Sequence, residues 1–184
     1  IKHIIFLIKK LLFGFFFYKK WNISIQNNNL FDNKEIANFK TNININSKIN
    51  NSKYLFYSDP FFINNKEIIL EAYDRYKSCG IINIYDSYKK KFTFENILNS
   101  SKHSSYPSIF KDKNKIFFLP EIAKWSNPKI YELNDKLNLS KEINLEGLEN
   151  LKLIDSVLFK HKDIYYLFTG FINNSLDVCH LYFS

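Results

Sequence analysis

Hydrophobic and polar residues alternate in short runs along most of this chain, and one arrangement of these runs occurs three times. Each copy is a short apolar strand, a polar turn and a second apolar strand. The copies span residues 57–71, 105–121 and 154–169. The chain therefore contains an internal repeat that begins with a β-hairpin.

The period of this repeat is set by three residues that begin its first strands. Asp59, Tyr106 and Asp155 are 47 and 49 residues apart, a spacing within the range of repeats that use four strands per unit. Further strands are predicted at 80–85, 128–131 and 176–182, and at 91–94 and 141–145. One such sheet cannot bury both of its faces alone, so it must stack on neighbours around an axis.

The sequence therefore predicts an all-β fold of the β-propeller class. The predicted blades span about 54–98, 103–148 and 153–184 within a propeller domain at 21–184, and the third blade is expected to be truncated. Propellers typically carry four to eight blades. We therefore expect a fragment that forms an open arc of about three blades with additional N-terminal strands, and whose last sheet has an unpaired edge.

Residues 1–20 are strongly apolar, but Lys9 and Lys10 interrupt them. A bilayer span needs about 20 consecutive apolar residues, and no small-residue cleavage site of a signal peptide follows. Two alternatives stay open: a basic amphipathic helix on a membrane surface, and a short helix or linker packed against an upstream domain, which we favour. Short strands are predicted after it at 21–25, 35–39 and 41–46.

Composition narrows the class of protein and its partners. Apolar residues make up 46% and aromatic residues 18% of the 184 residues, which argues against disorder and favours strands. The net charge is +8, but most lysines fall in predicted turns, so we expect no nucleic-acid partner. Two cysteines, Cys79 and Cys179, make no disulfide framework. We therefore expect a reducing, cytoplasmic location, with membrane association left open.

Carboxylates recur at corresponding points of the repeat. Asp59 and Asp155 begin first strands, while Glu71 and Glu121 lie near the ends of second strands. First strands lie nearest the axis of a propeller, and each second strand returns towards the level at which its first strand began. We therefore expect these carboxylates and Tyr106 to converge at one mouth of the central channel.

Carboxylates gathered in one concave site can act as general acids and bases, because like-charge repulsion raises one pKa. Sugar hydrolysis commonly uses such pairs. The alternative is structural, since an Asp before Pro often bonds its own backbone in a turn and a Glu after a strand can be solvated. His103 is either a pocket residue or an ordinary loop residue. No His/Cys spacing predicts zinc and no glycine-rich loop predicts a phosphate site, so no metal or cofactor is expected.

Five motifs together resemble the N-terminal domain of glucosamine inositolphosphorylceramide transferases. They lie at 58–62, 70–74, 103–110, 118–121 and 154–159. The resemblance covers about residues 21–184, and related domains occur in bacterial proteins. It implies a five-bladed propeller similar to those of family 43 glycoside hydrolases, and a transferase activity that belongs to a separate downstream domain.

The resemblance also bears on the site residues. In family 43 hydrolases a first-blade Asp before Pro is the general base, a second-blade Asp tunes pKa and a third-blade Glu is the acid. Asp59 matches the first, whereas Tyr106 and Asp155 stand at the other two positions, so the hydrolase set is not reproduced. Glu121 is a neighbouring candidate for the acid.

These observations lead to one preferred function and two alternatives. The preferred function is a carbohydrate-recognising propeller domain of a glycan or glycolipid biosynthesis protein, with a carbohydrate or glycolipid ligand and covalently linked partner domains. The alternatives are a glycoside hydrolase-like enzyme and a non-catalytic scaffold. The candidate catalytic residues are Asp59, Glu121 and Asp155, and the candidate substrate-binding residues are Glu71, His103 and Tyr106.

Overall fold

The computed structural model describes residues 21, 23–25, 43–44, 53–172 and 178–184. All regular secondary structure in these ranges is β-strand. No helix able to cross a membrane is found among them. The helix or linker predicted at residues 1–20 and the strand predicted at 35–39 lie outside the described residues.

The described strands form antiparallel sheets in which neighbours follow chain order. A small ladder pairs β1 (Ser24–Ile25) with β2 (Ile43–Asn44). The first sheet contains β3 (Tyr54–Phe62), β4 (Glu67–Asp74), β5 (Cys79–Asp86) and β6 (Lys91–Phe94). The second contains β7 (Ser105–Asp112), β8 (Lys115–Glu121), β9 (Lys129–Leu133) and β10 (Leu139–Asn144). The third contains β11 (Leu153–His161), β12 (Ile164–Phe171) and β13 (His180–Phe183).

This arrangement confirms the predicted all-β class and the repeated antiparallel sheet. Three sheets of four, four and three strands are consistent with propeller blades. The number of blades in a complete ring stays a prediction.

Short polar side chains close the turns between the strands. The carboxylate Oδ1 of Asp74 accepts hydrogen bonds from the backbone N–H groups of two following residues, at 2.9 and 3.0 Å. Asp86 does the same one turn later, at 3.0 and 2.8 Å, and the amide oxygens of Asn64 and Asn134 serve two other hairpins. Asx side chains hold such turns by bonding backbone N–H groups two or three residues on, so the regular spacing of these residues sets the spacing of the strands.

The sheets stack through apolar side chains. The first and second sheets share a core made of Ile63, Ile69, Ile82, Ile84, Phe118, Ile122, Tyr131 and Leu133. The second and third share Phe110, Phe117, Leu119, Ile130, Leu153, Leu158 and Leu167. The opposite face of the first sheet is also covered, and Ile23 from the N-terminal segment packs there. Strands β4 and β5 are consequently buried on both faces, which explains their continuous apolar sequences.

A polar link joins the second and third sheets at the hairpin ends of their first strands. Asp112 accepts a hydrogen bond from the hydroxyl of Tyr165 at 2.7 Å, and its carboxylate lies 3.1 Å from Lys160 Nζ. These contacts cross between sheets at a partly exposed site. They fix the relative position of the two sheets more than they stabilise the protein.

The third sheet leaves its outer face uncovered by the described part of the chain. Phe159 is 42% exposed, Leu181 51% and Phe183 74%. By strand register, Leu181 of β13 occupies the position of Ile84 in β5, because each pairs with the equivalent residue of its second strand. Equivalent apolar positions are therefore buried in the first sheet and exposed in the third.

This equivalence generates a stability prediction. We expect Ile84→Ala to lower the free energy of unfolding by about 2–5 kcal/mol, because Ile84 is fully buried between sheets. The matched change Leu181→Ala should alter it by less than about 0.5 kcal/mol, since that side chain is largely exposed. Urea denaturation of both variants measures the difference, and equal losses would contradict the stacking order described here.

Candidate functional site

The first strand of each sheet contains a one-residue β-bulge at the same position. Ser58 of β3 pairs with Glu71 of β4, and Phe61 pairs with Ile69. Two residues of β3 therefore lie between these pairs where β4 has one. Strands β7 and β11 have the same one-residue excess at the equivalent place. Bulges of this kind redirect a side chain out of the regular alternation of a strand.

The residue inside each bulge adopts a left-handed backbone. The φ angle is 47° at Asp59, 45° at Tyr106 and 48° at Asp155. These are the three residues from which the sequence period was measured. Positive φ is tolerated by Asp but is an outlier for a bulky residue such as Tyr, and strained residues of this kind cluster at functional sites.

The second strands add carboxylates opposite two of the bulges. Glu71 and Glu121 pair with the residues that precede the first and second bulges, and Gly170 takes this position in the third sheet. The third sheet therefore contributes only the bulge carboxylate of Asp155. The backbone at the site is repeated in the three sheets, but the side chains at equivalent positions differ from sheet to sheet.

Glu71 is the most perturbed acid of this group. Its side chain is buried, with 6% of the residue exposed, and it shares a hydrogen bond with the carboxyl group of Asp59. Burial raises the pKa of Glu71 to about 8, and the Asp59 and Glu121 carboxylates add to the increase. The Ser58 hydroxyl donates to Glu71 Oε2 at 2.8 Å and opposes this shift. Glu71 is therefore largely protonated at neutral pH.

The remaining polar residues interact with the same carboxylates. Burial first, and then the charge of Asp155, raises the pKa of Glu121, which also accepts a hydrogen bond from the Asp155 backbone N–H. The pKa of Asp155, a residue that is exposed as a whole, is raised by partial desolvation of its carboxyl group and by the charge of Asp59. Burial and both Asp side chains raise the pKa of Tyr106. Residues from three different sheets therefore share one electrostatic environment.

His103 lies beside this cluster and is held in one tautomer. Its Nδ1 accepts a hydrogen bond of 2.9 Å from the backbone N–H of Gly80, so the proton of the neutral ring is on Nε2. Burial and nearby Lys124 lower the pKa of His103, although Asp59 opposes the shift. Gly80 leaves room for both side chains, because a Cβ atom at this position would lie 2.0 Å from Glu71 Oε1 and 2.9 Å from His103 Cε1 and would displace them.

A cavity of about 630 Å³ opens at the first bulge. Its walls combine aromatic and apolar side chains with two of the clustered carboxylates. The lining residues are Trp21, Ile23, Phe56, Tyr57, Ser58, Asp59, Pro60 and Glu71. Tyr106, Glu121, Asp155 and His103 are linked to this site through their charges and contacts but do not line the cavity itself.

Sequence reasoning did not identify several residues that form this site. Ser58 donates a hydrogen bond to Glu71, and Gly80 leaves space for the side chains of Glu71 and His103. The charge of Lys124 acts to lower the pKa values of Glu121 and His103. The position of Ser58 directly before Asp59 was the available signal, because it pairs with Glu71 once the strands are aligned. No sequence signal connects Lys124 with the cluster, since its role depends on how the second and first sheets stack.

The arrangement suits hydrogen bonding and proton transfer. A protonated Glu71 beside Asp59 presents both a donor and an acceptor, and the neutral imidazole of His103 has its proton on Nε2. Among the described residues, no group of three or more His, Cys, Asp or Glu side chains is arranged to hold a metal ion. Carboxyl groups paired in this way can donate and accept protons.

The raised pKa of Glu71 predicts how stability depends on pH. A carboxyl group whose pKa rises from 4.5 to about 8 on folding stabilises the native state fully below pH 4.5. This contribution is lost as pH increases to about 8, at up to about 1.4 kcal/mol per pH unit. We expect Glu71→Gln to flatten this slope in urea denaturation between pH 5 and pH 9.

The matched control is Glu146→Gln, which changes an exposed carboxylate and should leave the slope as in the unmodified chain. An unchanged slope in Glu71→Gln would show that Glu71 ionises normally in the native state.

Comparison with known proteins places the chain in a family. The family model described as glucosamine inositolphosphorylceramide transferase 1, N-terminal, matches residues 19–177. A solved structure titled "Glycoside hydrolase" is similar with a TM-score of 0.45 and 16% identity, over 71% of this chain and 31% of that chain. No conclusion about function follows from similarity at this level. No curated protein matches the chain. Since the family match covers most of its length, this chain belongs to the family of N-terminal domains of glucosamine inositolphosphorylceramide transferase 1.

Proposed function

We propose that this chain is a carbohydrate-recognising domain of a glycan or glycolipid biosynthesis protein. The observation that carries the proposal is the convergence of bulge residues from three sheets around carboxylates beside a partly aromatic cavity. Ligand sites typically combine apolar walls with a few convergent polar groups and perturbed pKa values. The cavity at Asp59 and Glu71 has each of these properties.

The chemistry of the cavity favours a sugar over other small ligands. Carboxyl groups accept hydrogen bonds from hydroxyl groups, and the protonated Glu71 can also donate one. The aromatic side chains of Trp21 and Phe56 supply flat apolar surface for the C–H faces of a sugar ring. A ligand with many hydroxyl groups and some apolar faces uses both kinds of wall.

The local charge argues against an anionic ligand. The chain carries a net charge of +8, yet acidic side chains dominate this site. A phosphate or carboxylate ligand in the cavity would lose hydration and lie next to the Asp59 carboxylate. A neutral or cationic carbohydrate avoids this cost.

A second candidate function is glycoside hydrolysis. Glycosidases use a carboxylic acid and a carboxylate that lie about 5 Å or more apart, and the site offers several carboxyl groups with raised pKa values. Asp59 would act as the base and Glu121 or Asp155 as the acid, while Glu71, which is hydrogen-bonded to Asp59, would position the base. Tyr106 and His103 would contact the substrate.

A third candidate is a scaffold with no ligand, in which the carboxylates only serve turns. The hydrogen bonds do not favour it. The turn carboxylates Asp74 and Asp86 accept backbone N–H groups, whereas Glu71 is bonded by the side chains of Ser58 and Asp59. A buried acid that closes no turn costs stability, which is expected where function requires it.

The family name indicates a transferase, and such a protein joins this domain to others. We propose that a transferase activity, where present, is located in a linked domain, and that the ligand of this domain is a carbohydrate or the sugar part of a glycolipid. We also propose a cytoplasmic location, with contact between residues 1–20 and a membrane surface as the open alternative to packing against another domain.

The test is to measure sugar binding and turnover with the same variants. We expect the chain to bind members of a panel of soluble mono- and oligosaccharides in ligand-observed NMR. Asp59→Asn and Glu71→Gln should weaken this binding at least tenfold, because each changes hydrogen bonding in the cavity. The matched control Asp135→Asn alters an exposed turn and should bind as the unmodified chain does.

The same variants separate the three functions. Hydrolysis of aryl glycosides that Asp59→Asn abolishes while binding persists would establish the enzyme. Absence of both binding and turnover across the panel, with folded protein, would leave the scaffold and contradict carbohydrate recognition.

A further inference from the structure

We propose that the side of the molecule opposite the carboxylate site binds the anionic surface of a lipid bilayer. This side, the turn rim, comprises residues 62–67, 86–91, 111–115, 132–138 and 160–164. It contains the turn between first and second strands of each sheet, and the turn between third and fourth strands of the first two sheets. The turn rim is separate from the carboxylate cavity, so the proposal does not depend on the proposed function.

The directions of the strands place these turns together. The three bulge residues share one electrostatic environment, and from its bulge each first strand continues to its hairpin. At those hairpins the second and third sheets touch, where Tyr165 donates to Asp112 at 2.7 Å. Ile63 and Leu137, from turns of the first and second sheets, pack in one core cluster. The turn rim and the carboxylate site therefore lie at opposite ends of the sheets.

Charge is distributed unequally between these two ends. The turn rim holds ten lysines and six aspartates or glutamates, which gives a net charge of +4. The remainder of residues 53–184 holds eight basic and ten acidic residues, which gives a net charge of −2. The positive charge of this part of the chain is therefore concentrated at the end away from the carboxylates.

Most acidic side chains of the turn rim are already neutralised within the protein. Five of the six make ion pairs at 2.9–3.6 Å, and these pairs use only four of the ten lysines. The other six lysines are exposed and make no ion pair with a carboxylate of the described residues. They are Lys90, Lys91, Lys111, Lys113, Lys136 and Lys162. Their charge can therefore act on an external anionic surface.

Three of these lysines occupy backbone positions that favour other residue types. The φ angle is 56° at Lys90, 46° at Lys113 and 48° at Lys162, with one such lysine in each sheet. Glycine, asparagine and aspartate adopt this left-handed conformation most readily. Lysine at the tips of these turns conflicts with local preference, and such conflicts are expected where a side chain serves a function.

Exposed aromatic side chains lie on the same rim. Phe62 at the end of β3 is 57% exposed, and Tyr88 in the turn between β5 and β6 is 71% exposed. Aromatic rings enter the boundary between lipid headgroups and acyl chains, with tyrosine suited to the headgroup level. Lysine places its charge among the headgroups while its methylene stem covers apolar surface. Lysines and aromatic rings together at the turn tips therefore suit a bilayer that contains anionic lipids.

The same features suit a nucleic acid less well. Single-stranded nucleic acids bind in charged grooves with stacked aromatic side chains, and base recognition most often uses arginine. Here the charges are spread over separate turn tips, and the one arginine of the chain, Arg75, lies in a turn at the other end of the first sheet. A lipid surface needs only several positive charges on one side of the protein, because its headgroups are mobile.

The first test is cosedimentation with lipid vesicles. We expect the 184-residue chain to bind phosphatidylcholine vesicles that contain about one third phosphatidylserine, and not pure phosphatidylcholine vesicles. The triple variant Lys90→Asn, Lys113→Asn, Lys162→Asn removes one charge from each sheet, at positions whose backbone favours asparagine. It should bind the phosphatidylserine vesicles at least about tenfold more weakly, because each lost lysine removes an attraction to the anionic lipids.

The matched control is the triple variant Lys77→Asn, Lys102→Asn, Lys152→Asn. It makes the same change in net charge, from +8 to +5, but in connections at the carboxylate end of the sheets. It should bind as the unmodified chain does. Equal affinities of the two triple variants would show that net charge or residues 1–20 govern binding, and would overturn the proposal, as would absence of binding to the phosphatidylserine vesicles.

A second pair of variants tests the aromatic contact. Tyr88→Ser should weaken binding to the same vesicles, whereas Tyr76→Ser should not, because Tyr76 is equally exposed, at 77%, but lies in a turn at the opposite end. Urea denaturation verifies that every variant folds. Equal binding by these two variants would contradict insertion of the turn rim. If a single-stranded oligonucleotide binds through the three turn-rim lysines and the vesicles do not bind, the partner is a nucleic acid and the proposal is wrong.

Discussion

The stacking of apolar sheet faces is the constraint on which the rest of this structure depends. Strands β4 and β5 are buried on both faces, so the first sheet is stable only between the second sheet on one side and the N-terminal segment around Ile23 on the other. This packing sets the positions of the first strands. It brings Asp59 close enough to Asp155 for its charge to raise the pKa of Asp155, although 96 residues separate the two in sequence.

The fold could be predicted further than the site. The alternation of apolar and polar residues and the spacing of the hairpins are local signals, and they were sufficient to predict repeated antiparallel sheets. The bulges were not predicted, because no residue type or sequence pattern marks an extra residue in a strand. Their left-handed backbone at Tyr106 conflicts with local preference and is imposed by the surrounding ladder.

Within the site, too, local signals in the sequence predict some features and miss those that depend on how the sheets stack. That Asp59, Tyr106 and Asp155 occupy equivalent positions followed from the repeat. That Glu71 is buried while Asp155 is exposed did not, because burial depends on which sheet has a neighbour. The cavity wall formed by Trp21 and Ile23 was also beyond sequence reasoning, since it requires the N-terminal segment to fold back over the first sheet.

The bulge has a consequence for how such a domain diversifies. Its geometry is fixed by the pairing of backbone groups on either side, and the three bulge side chains lie outside the cores between the sheets, with Tyr106 contacting Phe61 at the core's edge. The same backbone presents aspartate in the first and third sheets and tyrosine in the second. An exchange at one of these positions therefore changes the side chain that the bulge presents while the pairing of the strands around it stays the same.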